Sequence, residues 1–77
     1  MNKAQRTRIE QIADKIQEYS EELREMADEE QEKAENVAEN FPNSEQLEGI
    51  ENAAAELAEA ADTARCLSSD LHGIISE

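Results

Sequence analysis

Apolar residues in the first forty positions recur at alternating intervals of three and four: Ile9, Ile12, Ile16, Tyr19, Leu23, Met26 and, past Glu30 and Lys33, Val37. That spacing is the period of a helix packed along its length on another helix. Asn2 followed by Gln5 reads as a capping box, and no glycine or proline interrupts the run before Pro42, so a helix is predicted over about 2–39. A second row, Leu47, Ile50, Ala54, Leu57, Ala61, Ala64, Ser68, Leu71 and Ile75, has the same spacing and predicts a helix over about 44–75. Between them lies "NFPNSEQ", where Pro42 lacks an N–H and pushes Phe41 out of the helical region. Asn43 with Gln46 reads as the second cap, and Glu45 suits the first turn. Neither segment alternates with period two. The fold expected for residues 1–77 is all-α, one coiled-coil-like antiparallel two-helix hairpin with its turn at 40–43.

A turn this short sets the helices antiparallel, with positions meeting where their numbers sum to roughly 84. That register places Val37 near Leu47, Met26 near Leu57 and Ala58, Leu23 near Ala61, Tyr19 near Ala64, Ile12 near Leu71 and Ile9 near Ile75. Larger residues of the first helix then meet alanines of the second, an alternation that lets helices approach closely. Glu30 and Lys33 fall opposite Ala53 and Ala54 as a tolerated polar layer. Because a hairpin leaves each row half exposed, assembly into a four-helix bundle or higher homo-oligomer is expected. The bulkiest cluster, at the open end, is the candidate interface: Ile9, Ile12, Ile16, Leu67, Leu71, Ile74 and Ile75. A bundle would also cover Ala13, Ala27, Ala34, Ala53 and Ala60.

Charge adds a second pattern. The net charge is −13, from 7 basic and 20 acidic residues. Residues 1–16 carry Lys3, Arg6, Arg8 and Lys15 against Glu10 and Asp14, a balance of +2. Residues 17–62 carry sixteen acids against Arg24 and Lys33, a balance of −14. Within that acidic part, Glu18, Glu21, Glu25, Asp28, Glu32, Glu35 and Glu39 keep their own three-four spacing, directly away from the predicted packed side. Ordinary solvated faces mix acids with bases at i, i+4, and like charges at that spacing cost a few tenths of a kcal/mol per pair. Something other than helix stability would have to favour the stripe. Over residues 17–40, about 36 Å of helix, the two acidic segments together give one net charge per about 2.6 Å, against about 1.7 Å for duplex DNA. Two hairpins side by side would give one per about 1.3 Å.

This balance disfavours direct binding to nucleic acid or to anionic lipid and favours a basic protein surface as partner. No apolar run approaches the roughly 18 residues of a membrane span, and "MNKAQRTRIEQ" lacks the apolar segment of a signal peptide, so a cytoplasmic location is expected. One cysteine, Cys66, makes no intramolecular bridge and suits a reducing setting. With one cysteine and one histidine, His72, the usual four-ligand zinc site cannot form in one chain. Outward carboxylates without a pocket do not make an acid/base pair, and no phosphate-cradling loop, EF-hand loop or nucleophile elbow occurs. The expectation is a non-enzymatic protein without cofactor, metal or catalytic residues.

The opening "MNKAQRTRIEQI", the turn "NFPNSEQLEGIENA" and the repeat "AAAELAEAADTA" resemble a loose group of small acidic helical-hairpin proteins encoded by bacteriophages and prophages. The resemblance covers nearly the whole chain and carries over no functional residues. It implies a phage context, in which small acidic proteins often inhibit host defence systems, some by occupying a nucleic-acid-binding surface. The leading expectation is therefore an inhibitor presenting the acidic stripe, as a DNA mimic, to a basic surface of a host protein. The alternative is a helical assembly protein, or an oligomer that sequesters a small ligand between hairpins.

Overall fold

Asn2 Oδ1 accepts the backbone N–H of Gln5 at 2.8 Å, while Gln5 Oε1 accepts the N–H of Asn2 at 3.1 Å. In the computed structural model, which describes residues 1–76, this reciprocal cap opens helix α1, Lys3–Asn40. The helix stops where the Phe41 N–H donates to the Val37 carbonyl at 2.7 Å and the chain swings to φ −139°, ψ 68°. Helix α2, Glu45–Ser76, returns alongside. Its cap is Ser44 rather than Asn43: Ser44 Oγ accepts the Leu47 N–H at 3.0 Å, while the Ser44 N–H donates to the Phe41 carbonyl at 3.3 Å. Closing the turn through Phe41 moves the start of α2 one residue on from the expected cap. Glu45 and Glu48 occupy its first turn, where negative charge favours the exposed N–H groups.

The two helices form an antiparallel hairpin, a rod of 57 × 13 × 13 Å, and no strand occurs among the described residues. Its interior is made of small side chains. On α1 the buried residues are Ala13, Ser20, Ala27 and Ala34, and on α2 Leu47, Ala54, Ala61 and Ser68, each set with a period of seven. Seven of these eight are alanine or serine, so the backbones approach as closely as small side chains allow.

This arrangement corrects the expected seam of α1. Half of it holds: Ile9, Ile16, Leu23, Glu30 and Val37 are half-buried. The other half does not, because Ile12, Tyr19 and Met26 are 45%, 56% and 49% exposed. The small residues one position later have taken their place at the contact. Tyr19 is therefore not a core residue. Moving alternate contacts on by one residue turns the contact line by about half of the 100° between neighbours and puts the alanines and Ser20 where a bulky ring would force the helices apart. On α2 the expected row stands, with Leu47, Ala54, Ala61 and Ser68 buried and Ile50, Leu57, Ala64, Leu71 and Ile75 half-buried.

The register shifts as well. Ser68 Oγ donates to the Ala13 carbonyl at 2.7 Å and Arg6 Nη1 donates to the Ile75 carbonyl at 2.7 Å, so facing positions sum to 81, not 84. Ser20 then faces Ala61, Ala27 faces Ala54 and Ala34 faces Leu47, in place of the pairs of Tyr19 with Ala64 and Met26 with Leu57. Apart from Ala34 against Leu47, small residues meet small residues, where large against small was expected. Glu30 and Lys33 lose their places opposite Ala53 and Ala54 and pair with each other, Lys33 Nζ to Glu30 Oε1 at 2.7 Å.

Candidate functional site: an acidic face and an apolar face

In an antiparallel pair, rows displaced in the same sense from the contact line of each helix lie on the same side of the hairpin. One residue after the buried row stand Asp14, Glu21, Asp28 and Glu35 on α1, and Glu48, Ala55, Asp62 and Ser69 on α2. Contacts across the groove show that these rows share a side: Arg24 Nη2 meets Asp62 Oδ1 at 2.7 Å, and His72 Nε2 meets Asp14 Oδ1 at 3.1 Å. One residue before the buried row stand Ile12, Tyr19, Met26 and Lys33 on α1, and Ala53, Ala60, Leu67 and Ile74 on α2. The hairpin thus has a polar side and an apolar side.

All seven residues of the predicted stripe, Glu18, Glu21, Glu25, Asp28, Glu32, Glu35 and Glu39, are exposed. Among the described residues only Glu18 of the seven is ion-paired, to Lys15 at 3.6 Å, and Glu21 accepts a long hydrogen bond from Gln17 Nε2 at 3.5 Å. Their orientation differs from the expected one. With the contact line rotated, Glu21, Asp28 and Glu35 flank the groove between the helices, while Glu18, Glu25, Glu32 and Glu39 form the outer back of α1. The polar side is therefore shared with α2, whose Glu48, Glu51 and Asp62 were no part of the predicted stripe. Only the observed register could have added them.

This side is graded along its length. Near its middle Asp62 Oδ1 holds Arg24 at 2.7 Å and Arg65 Nη2 at 3.7 Å, beside an open crevice of about 400 Å³ that Gln17, Ser20, Glu21 and Glu25 also line. Toward the turn a second open crevice, about 240 Å³, is bordered by Asp28, Gln31 and Glu51 over a floor of Ala27, Ala54, Ala55 and Ala58. Arg24 also lines it but pairs with Asp62, and among the described residues Asp28 and Glu51 have no ion pair across the groove. Both crevices are shallow, and no group of three metal-ligating side chains stands together among the described residues.

The residues expected at an oligomer interface divide between two environments. Ile9, Ile16, Leu71 and Ile75 are half-buried within the hairpin, whereas Ile12, Leu67 and Ile74 stay about half exposed on the apolar side. Cys66 is exposed. Among the described residues no helix is long and apolar enough to cross a membrane. No family model matches the chain, and comparison with curated proteins and with solved structures gave no match.

Proposed function

We propose that the chain is a non-enzymatic binding protein that presents its acidic side to a basic surface of a partner protein. One observation supports this most directly: the seven stripe acids lie exposed in an unbroken three-four row, only one of them ion-paired among the described residues, and the acids of α2 extend them across the groove toward the turn. Uncompensated charge held in a row on a rigid rod raises the rate of encounter with a basic surface and matches a site shaped for a nucleic-acid backbone. In the phage setting that the sequence resembles, the partner is a basic protein of host defence in the host cytoplasm, blocked by this DNA-like surface.

Capture from host lysate tests the reading. Binding is expected at low salt, with loss at high salt and in the variant carrying Glu21→Lys, Glu25→Lys and Glu32→Lys. Capture indifferent to both salt and the reversals would sink it. A second reading, an assembly protein that works through its apolar side or encloses a small ligand there, is favoured by the exposed Ile12, Tyr19, Met26, Leu67 and Ile74. Activity that survives the charge reversals and is lost on Tyr19→Glu selects it.

A further inference from the structure

We infer that a second copy of this chain covers the apolar side, docked head to tail, so that the turn of each hairpin lies over the open end of the other. This inference is independent of the acidic-side reading. It starts from area. The chain exposes 5756 Å², whereas a compact monomer of 8.6 kDa exposes about 4,700 Å². The excess, about 1,000 Å², comes with the elongated shape of the rod and is enough to supply one partner's share of a standard stable interface, about 800 Å². Apart from Met1 and Phe41, at the two ends of α1, the exposed large apolar residues share one side, where Ile12, Tyr19, Met26, Leu67 and Ile74 stand in two parallel rows along the rod.

Charge selects both the occupant and its direction. The open end is near neutral, residues 1–16 balancing to +2 and residues 63–77 to −1, and the acidic excess lies toward the turn. A head-to-tail copy lays each open end over the other's acidic end, whereas a copy facing the same way stacks acid on acid. The rims agree. The two-fold axis of a head-to-tail pair passes near residue 22 of α1 and residue 60 of α2, so α1 runs along the second copy's α1. Rim residues whose numbers sum to about 44 then meet, which brings Lys15 to the second copy's Glu29 and Arg8 to its Asn36. On α2 the matching sum is about 119, setting Glu56 against Thr63, Asp70 against Gly49 and bulky Leu67 close to small Ala53. Only Glu22, on the axis, meets its own like charge. Facing the same way, α1 would run along the second copy's α2, where Glu22 and Glu29 would both lie near Glu56 and Arg8 and Lys15 near Asp70, so rim attraction and repulsion would cancel. The rims thus favour the head-to-tail orientation, in which symmetry makes two Lys15–Glu29 contacts against the single Glu22 pair.

Mass and distance together test this. Sedimentation at tens of micromolar should give a dimer, twice 8.6 kDa. A nitroxide at Asn43→Cys, in a Cys66→Ser background, should report an intermolecular distance near the 57 Å length of the rod. Turns lying together would give under about 25 Å, given interaxial spacings of about 8–10 Å. Leu67→Glu should weaken the dimer at least 100-fold, and if that variant fails to fold, the wild-type melting temperature should still rise with protein concentration. A folded monomer, a larger closed ring or the short distance each overturns the proposal; a dimer with the long distance supports it.

Discussion

Ala27 has almost no exposed surface and faces Ala54 across the helix contact. Ala27→Leu should therefore wedge the rod open and cost about 1–3 kcal/mol by overpacking, read from urea unfolding followed by circular dichroism. Ser68→Ala removes only the hydrogen bond to the Ala13 carbonyl and should cost about 0.5–1.5 kcal/mol in the same assay. If the larger side chain were neutral, the close approach described here would be wrong. The small residues were visible in the sequence, since Ala13, Ala27 and Ala34 keep a period of seven, but size was a poor guide to rank. Hydrophobic spacing marks which positions leave water without saying which neighbour covers them. Tyr19 and Ser20 are adjacent, and the bulkier, more apolar one was the natural choice for the inside. Steric room at a close helix contact reversed that choice.

At the scale of the elements, both helices begin with a side chain capping free N–H groups, so Asn2→Ala and Ser44→Ala should each cost about 1 kcal/mol in denaturant unfolding. Gly73 lies within α2 with nothing within 4 Å of where a Cβ would stand. Gly73→Ala should then stabilise the protein by about 0.5–1 kcal/mol in the same titration, by reducing the freedom of the unfolded chain. The hairpin itself was legible, because a 38-residue and a 32-residue helix separated by a proline-containing turn leave few other topologies. The whole row on α2 was legible because it already carries small residues, Ala54, Ala61 and Ser68, at the contact, so spacing and steric room select the same positions there. The register differs by three, as the Ser68–Ala13 and Arg6–Ile75 hydrogen bonds mark, a detail of side-chain to backbone bonding that spacing does not encode.

At the scale of the molecule, the acidic excess is held on a rod only 13 Å wide, so its charges repel within a Debye length of one another. Raising sodium chloride from about 0.01 to 1 M, which shortens that length from about 30 to 3 Å, should raise the melting temperature. The triple reversal Glu21→Lys, Glu25→Lys and Glu32→Lys should stabilise the isolated protein while abolishing capture of a basic partner. That opposite movement of stability and binding separates a working surface from a merely solvating one. The acids of α1 were legible in the sequence. Their sharing of a side with Glu48, Glu51 and Asp62 was not, since it depends on how two helices are turned toward each other.

The sevenfold recurrence of small residues also makes the rod divisible. Residues 21–27 face residues 54–60, and each block contains one buried alanine, so removing both together leaves every remaining contact in phase. The shortened protein should stay a hairpin, about 10 Å shorter in small-angle scattering. Removing one block alone, or blocks of six, should leave the arms mismatched and the chain largely unfolded. Change in length is thus open to this architecture only in matched steps of two turns per arm, a counting rule that natural or designed variants of the rod would have to obey.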